Sequence, residues 1–312
     1  IYTTVGNGYQ GESFVSEDTQ ILDDSSQNNL SIGGFNNNTT LRFNDLFAGV
    51  HYKFRTGIFT LKQGVFIHKY NWKVNQLNST VNKNKWVLLP DFFVNIEFNK
   101  SKKLKINYNL KTNFSDVSKL ANRFYLQSYN SVFKGNEILE NELFHSARIF
   151  YSRFSLYRGL MLHLSANYTK KIKGIRNTVN FDGVNRFASV DLFNNPDENW
   201  SFKGSIRKKI KKIRYKIYGD YRSSRFIQQI NGAFLNNINT NYSYNLSAET
   251  LFDDFPRVEI GYKQNIGNYD TGITKSKFIT NEPFINLEYN FFKDYNLEGN
   301  YNFYDYKNKT LG

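Results

Sequence analysis

The chain has 312 residues, 17% of them aromatic, with 4 prolines, no cysteine and a formal net charge of +14. The missing cysteines exclude a disulfide framework and a cysteine zinc site, and no run of 18 apolar residues is present to make a transmembrane helix. The charge would suit nucleic acid or an anionic membrane surface. However, Asn, Lys, Ile, Tyr and Phe are abundant together, as in AT-rich codon usage, and this bias accounts for much of the lysine excess.

Residues 1–40 are rich in Gly, Ser and Asn and are predicted to be a loop or the end of an earlier hairpin. The opening "IYTTVGNGYQ" lacks Met, a basic region and an apolar core of a signal peptide. The chain therefore reads as a fragment of something longer.

From residue 41 the dominant signal is period-two alternation. In "IFTLKQGVFIHKYNW" the apolar face switches near Gly64, which predicts a bulge. In "LKINYNLKTNF", Leu104, Ile106, Tyr108, Leu110 and Phe114 share one face; Lys105, Asn107, Asn109, Lys111 and Asn113 share the other. "LMLHLSANY" sets Leu160, Leu162, Leu164, Ala166 and Tyr168 against His163, Ser165 and Asn167. "IRYKIYGDY" sets Ile213, Tyr215, Ile217 and Tyr221 against Arg214, Lys216 and Asp220. "VEIGYKQNI" and "INLEYNF" obey the same rule. Soluble strands usually run about 5–6 residues, whereas strands that cross a bilayer need about 9–11. These runs are of the longer kind. The prediction is an all-β fold, a segment of an antiparallel transmembrane β-barrel with about twelve long strands. It forms a single region, with successive hairpins over 41–312.

Short turns are predicted at 55–57, 99–103, 156–159, 208–212, 253–257 and 293–296. Longer polar stretches at 71–87, 112–142, 174–200, 222–241 and 267–284 are predicted as loops. Short connections on one side and long ones on the other suit an outer-membrane barrel of the Gram-negative type. In such a barrel the apolar faces meet lipid and the polar faces line a wet lumen. The predicted lumen residues are Lys105, Asn107, Asn109, His163, Asn167, Arg214, Lys216 and Lys263. In "NYNFYDY" (300–306) aromatics occupy both faces, as expected of an interfacial girdle.

Little in the chain suggests catalysis. His51, His68, His145 and His163 show no metal-ligand spacing and are predicted as lumen or loop residues. "HLSAN" (163–167) has the residue types of a Ser–His–Asn constellation, but His163 and Ser165 on one strand lie about 7 Å apart, too far for proton transfer. Asp23–Asp24 and Asp253–Asp254 fall in turns, where Asp is common. No phosphate-binding glycine loop occurs. The expectation is no enzyme, no cofactor and no metal. The basic run "IRKKIKKIR" (206–214) lacks interleaved aromatics and reads as a solvated turn, so no nucleic-acid partner is expected.

The segment "GNEILENE" (135–142) resembles the Gly-Asn-Pro-x-Leu-x-Pro-Glu box of TonB-dependent outer-membrane receptors. Gly135, Asn136, Leu139 and Glu142 match, while Glu137 and Asn141 stand where the family has proline. The next strand, the turn "LYRG" and the long strand after it are similar to the strand–turn–strand that succeeds the box in that family. The likeness in detail covers residues 106–178. It implies a barrel of about 22 strands with an N-terminal plug; neither the plug nor a TonB box is visible in this chain. It also implies binding and energised uptake of a nutrient such as a ferric chelate or a glycan. Ligand contacts would lie around 112–135, 174–200 and 222–241. The implied partners are membrane lipid and lipopolysaccharide, a plug domain with the TonB complex, and an extracellular small-molecule or glycan ligand. Two other readings stay open: a plugless porin or structural barrel, and a secreted β-rich adhesin.

Overall fold

A computed structural model describes residues 1–252, 255–291 and 295–311. In chain order the strands are β1 (Tyr2–Glu17), β2 (Thr19–Ile21), β3 (Gln27–Asn29), β4 (Asn36–Thr56), β5 (Phe59–Gln76), β6 (Ser79–Asn99) and β7 (Lys102–Asn113). Then come β8 (Phe124–Ser128), β9 (Ser131–Lys134), β10 (Glu142–Ser155), β11 (Leu160–Asp182), β12 (Asn185–Phe193) and β13 (Asp197–Ile210). The remainder are β14 (Ile213–Ile230), β15 (Ala233–Thr250), β16 (Arg257–Asp270), β17 (Lys275–Phe291), β18 (Tyr295–Asn302) and β19 (Asp305–Leu311).

The wall is an antiparallel meander in the order β1, β4, β5, β6, β7, β10, β11, β13, β14, β15, β16, β17, with β18 and β19 together at the far edge. Among the described residues no pairing joins β1 to β18 or β19. The last two strands keep one register against β17, with Tyr301 opposite Ile285 and Tyr306 opposite Thr280. The gap between them lies where Phe303 N donates to Pro283 O at 3.1 Å. Proline has no N–H to return, so the ladder is interrupted there.

Residues directly opposite in an antiparallel pair share a face. One such row crosses eleven neighbouring strands from β4 to β17: Phe54, Leu61, Val94, Ile106, Ile149, Ala166, Phe202, Tyr221, Tyr242, Ile266 and Ile279. Every member is apolar or aromatic. The next row along the strands, on the opposite face, reads Arg55, Thr60, Asn95, Lys105, Phe150, Ser165, Lys203, Asp220, Ser243, Asn265 and Thr280. The apolar face is open to its surroundings, with Leu46, Val50, Ile67, Leu88, Leu164 and Leu246 among its exposed members. A soluble sheet would pack such residues inside.

Five stretches predicted as loops are corrected. Residues 1–40 are not a loop, because Tyr2–Glu17 forms β1 and pairs along its whole length with β4. The stretches 71–87, 222–241 and 267–284 are paired hairpins that end in tight turns at Leu77–Asn78, Asn231–Gly232 and 271–274. At Asn231 (φ 48) and Gly232 (φ 78) both residues are left-handed, the geometry that an Asn-Gly pair supplies to a two-residue hairpin. These hairpins are polar because they rise beyond the apolar face. In 174–200, β11 runs on to Asp182 and β12 folds back against it. Of the predicted loops, 112–142 is mostly irregular. The short turns predicted at 253–257 and 293–296, and the pair Asp253–Asp254, fall wholly or partly outside the described residues.

Gly64 does not mark a bulge: β5 keeps its register on both sides, with Gly64 opposite His51 and Asp91. The hydrophobic pattern switches because the inner face here is itself aromatic, with Phe66, His68, Tyr70 and Trp72 packing there. Glycine is needed for space. A Cβ at position 64 would overlap the His51 ring and lie 2.6 Å from Asp91 Oδ1. Gly64→Ala is therefore expected to destabilise the wall by about 1–3 kcal/mol, read as a lower midpoint in urea unfolding from detergent or vesicles. An unchanged midpoint would show that the ring moves aside freely.

Candidate functional site

The polar face carries a graded set of charges. By register Lys105, Asn107 and Asn109 on β7, His163 and Asn167 on β11, Arg214 and Lys216 on β14, and Lys263 on β16 all lie on it. Toward the short turns the charges are paired. Lys216 Nζ sits 2.8 Å from Glu249 and 3.0 Å from Glu259. Arg214 Nη1 reaches Glu249 at 3.1 Å, and Ser247 Oγ donates to Glu259 at 2.6 Å. Lys263 pairs with Glu282 at 2.7 Å and lies over the Phe284 ring at 4.8 Å. Lys105, Arg148 and Arg207 make no ion pair among the described residues, so this face keeps unpaired positive charge. A membrane span that buried these groups in lipid would be costly, whereas a wet lumen hydrates them. The two faces suit the wall of an outer-membrane β-barrel, apolar outside and wet inside.

On β4–β6 the same face is denser. His68 Nδ1 meets both oxygens of Asp45, at 2.8 and 3.0 Å, and stacks on Phe47 and Tyr70. His51 is 2% exposed, stacks on Tyr2 at 4.9 Å and faces Asp91 with Nε2 3.0 Å from Oδ1. That approach is misaligned for a hydrogen bond, and both atoms remain unsatisfied within the protein. His163 stacks on Phe150 at 6.1 Å. His145 departs from the expectation of a lumen or loop site. It pairs opposite Leu110 on the apolar face and bonds Tyr108 Oη at 2.8 Å. A tyrosine partner on the neighbouring strand satisfies the ring where a lone imidazole would be costly. The aromatics of 300–306 divide between faces: Tyr301 shares the side of Ile285, and Tyr306 the side of Thr280. Tyr306 thus joins the polar wall instead of an outer girdle.

The segment 114–141 is laid across the polar face. Asn37, 2% exposed, donates to Phe124 O at 3.0 Å and accepts from Arg123 N and Gln76 Nε2. Val117 N donates to the Glu12 carboxylate at 3.1 Å. From β6, Lys83 Nζ reaches Ile138 O at 2.6 Å and Lys85 reaches Glu140 at 2.7 Å. Val117, Leu120, Phe133 and Leu139 pack on Leu41, Tyr70, Trp72 and Val74 of β4 and β5 and on Val190 of β12. The lumen face is therefore polar toward the short turns but apolar under this segment. Period-two patterning cannot reveal that, because it shows which residues share a face and not what covers it.

The box residues Gly135, Asn136, Leu139 and Glu142 each hold this segment. Gly135 N donates to Ala121 O and Asn136 N to Lys119 O, both at 2.7 Å. The Asn136 side chain accepts from Ile138 N and donates to Asp191. Leu139 is 3% exposed. Glu142, at the head of β10 beyond the apolar face, accepts from Lys171 Nζ at 2.8 Å and Ile175 N at 2.9 Å. Burial pushes its carboxyl up, but Lys171 and the Ile175 N–H outweigh burial and hold it below the ordinary 4.5. A depressed folded value stabilises above the unfolded pKa and loses that contribution as pH falls through the folded one. The segment is therefore expected to lose hydrogen-exchange protection as pH falls below the ordinary carboxylate range. Glu142→Gln should flatten that acid dependence; if the variant opens at the same pH as the wild type, the carboxylate is not the clamp.

No protein-family model matches the chain, and no curated protein is similar in sequence. Two solved structures are matched weakly. One is OmpT, an outer membrane protein of Vibrio cholerae, at a TM-score of 0.36 and 9% identity over 97% of this chain and 87% of that one. The other is OccAB4 of Acinetobacter baumannii, at a TM-score of 0.15 and 8% identity over 98% and 97%.

Proposed function

We propose that this wall belongs to a transporter that binds a hydrophilic nutrient on its inner face and admits it across the outer membrane. The observation that carries the reading is the pair of adjacent rows across β4–β17, one apolar and one polar. The inner row is polar at every strand but β10, where Phe150 stands, and such a wet face can pass or bind a hydrophilic solute. In the finer form of the reading, uptake is energised through TonB by a plug outside this segment. The resemblance of 135–142 supports that form, as does the way Gly135, Asn136, Leu139 and Glu142 end the crossing segment and launch β10. The ligand would be a ferric chelate, a glycan or a similar solute.

One observation favours the rival, a passive porin: the 114–141 segment itself narrows the polar face, as an internal constriction would. Intact mass and bilayer conductance of the protein extracted from outer membranes separate the two. A larger chain that stays closed in a planar bilayer supports the energised receptor. A chain near 36.6 kDa that conducts steadily supports the porin. A product found only outside the membrane fraction overturns both.

A further inference from the structure

From the geometry of β14–β19 we infer a neutral-oligosaccharide subsite on the inner wall; the inference rests on the transport reading above and names its substrate class. A cleft of about 560 Å³ opens there, within the range of small-ligand sites. Its base is a polar row, Asp220, Ser243, Asn265 and Thr280, opposite one another on β14 to β17. Its walls are the rings of Tyr269, Phe278 and Tyr306. Tyr269 and Phe278 meet edge to face at 5.6 Å, and Phe278 lies nearly parallel to Tyr306 at 6.3 Å. Gly267 keeps the floor open. A Cβ there would come within 2.9 Å of Tyr269 Cε2 and 3.1 Å of Asn241 Oδ1.

Tyr269 Oη donates to Asn241 Oδ1 at 3.3 Å, but much of the hydrogen-bonding capacity of the polar row is unspent. Asp220 is 8% exposed. Its Oδ1 accepts from Arg222 Nε at 2.8 Å. Its buried Oδ2 has no hydrogen bond, and Lys203 Nζ is 3.8 Å away. Among the described residues, the side chains of Ser243, Asn265 and Thr280 make no hydrogen bond within the protein. A buried acceptor left unpaired is costly, so a ligand that donates to it gains where water alone would gain less.

The chemistry selects the ligand. Aromatic faces carry negative charge density and favour weakly positive C–H groups against them. Asparagine offers a donor and an acceptor side by side, and the hydroxyls of Ser and Thr do both. A sugar ring presents a C–H face to the aromatic walls and vicinal hydroxyls to the polar row. An anionic chelate would meet the free oxygen of Asp220 instead. Arg222 spends its Nε on that carboxylate and keeps its Nη groups free for sugar hydroxyls or for an anion, which is why the anionic probe belongs in the test.

The test is calorimetry on the folded protein in lauryldimethylamine oxide, a detergent without a sugar head. Maltohexaose, xylohexaose and mannohexaose are titrated separately, with a ferric catecholate as the anionic probe. Saturable binding of at least one neutral hexaose is expected. Phe278→Ala should weaken it by ten-fold or more, and Asn265→Ala, whose side chain supports nothing else, by several-fold. Phe202→Ala on the apolar face should leave it unchanged. Binding of the catecholate alone, binding of no hexaose, or hexaose binding that survives both Phe278→Ala and Asn265→Ala would each overturn the subsite. Vesicle permeation separates the two proposals. Hexaose entry without saturable binding sinks the subsite and keeps the transporter, whereas a protein recovered only outside the membrane fraction sinks both.

Discussion

Glu249→Ala is expected to be the most damaging single truncation on the inner wall. The carboxylate is 7% exposed and faces three cations from two strands: Arg214 Nη1 at 3.1 Å, Lys216 Nζ at 2.8 Å and Arg257 Nε at 3.6 Å. Breaking a buried ion pair by removing one partner typically costs about 3–5 kcal/mol, because the other charge is stranded. Here Lys216 is 30% and Arg257 51% exposed, and both can rehydrate. The expected loss is therefore at the lower end, about 2–3 kcal/mol. Urea unfolding from lipid vesicles measures it. A second readout is electrical: the variant leaves excess positive charge on the inner face, so the reversal potential in a salt gradient should shift toward anion preference. Glu249→Gln should shift the potential similarly but retain more stability, since the amide oxygen can still accept. If Ala and wild type unfold together, the three cations are independently hydrated and the network carries no stability.

Gly135→Val is expected to release the segment that crosses the polar face. The backbone at Gly135 lies against the carbonyls of Lys119 and Ala121, and a Cβ would sit 2.5 Å from Lys119 O and 2.8 Å from its carbon. Neither is the movable end of a side chain. The chain must separate, breaking the bonds from Gly135 N and Asn136 N. Overpacking and two lost hydrogen bonds together cost about 2–5 kcal/mol, confined to this segment. Hydrogen exchange should show protection lost over 114–141 and retained in β7 and β10. In a conducting barrel the released segment should also raise the single-channel current. Unchanged exchange across 114–141 would mean that the Asn37 and Lys85 contacts suffice without the Gly135 turn.

Much of the architecture could be read locally. The faces of β7, β11 and β14 follow from alternation, because successive side chains in a strand point to opposite sides whatever the partner strand is. The hairpin at Asn231–Gly232 was legible in principle, since the Asn-Gly pair between alternating runs is its signal; its polar flanks suggested a loop instead. Gly64 misled for a related reason. A switch of the apolar face resembles a bulge when the inner face is assumed polar, and under the 114–141 segment it is not. The match at 135–142 picked out four residues that each hold the crossing segment. Nothing in the eight residues indicates that they fasten it to Lys119, Ala121 and Asp191.

The sequence by itself therefore determined the long strands and their two chemically distinct faces, because both depend only on the period of the side chains. The tertiary structure decided which polar groups meet. Glu249 gains its cations only when β14 and β16 flank β15. The free oxygen of Asp220 reaches a cleft only when β16, β17 and β19 bring their rings beside it. Asn37 anchors a segment more than eighty residues away. Such meetings depend on register and on chain crossings between distant segments, and neither leaves a periodic trace in the residues that take part.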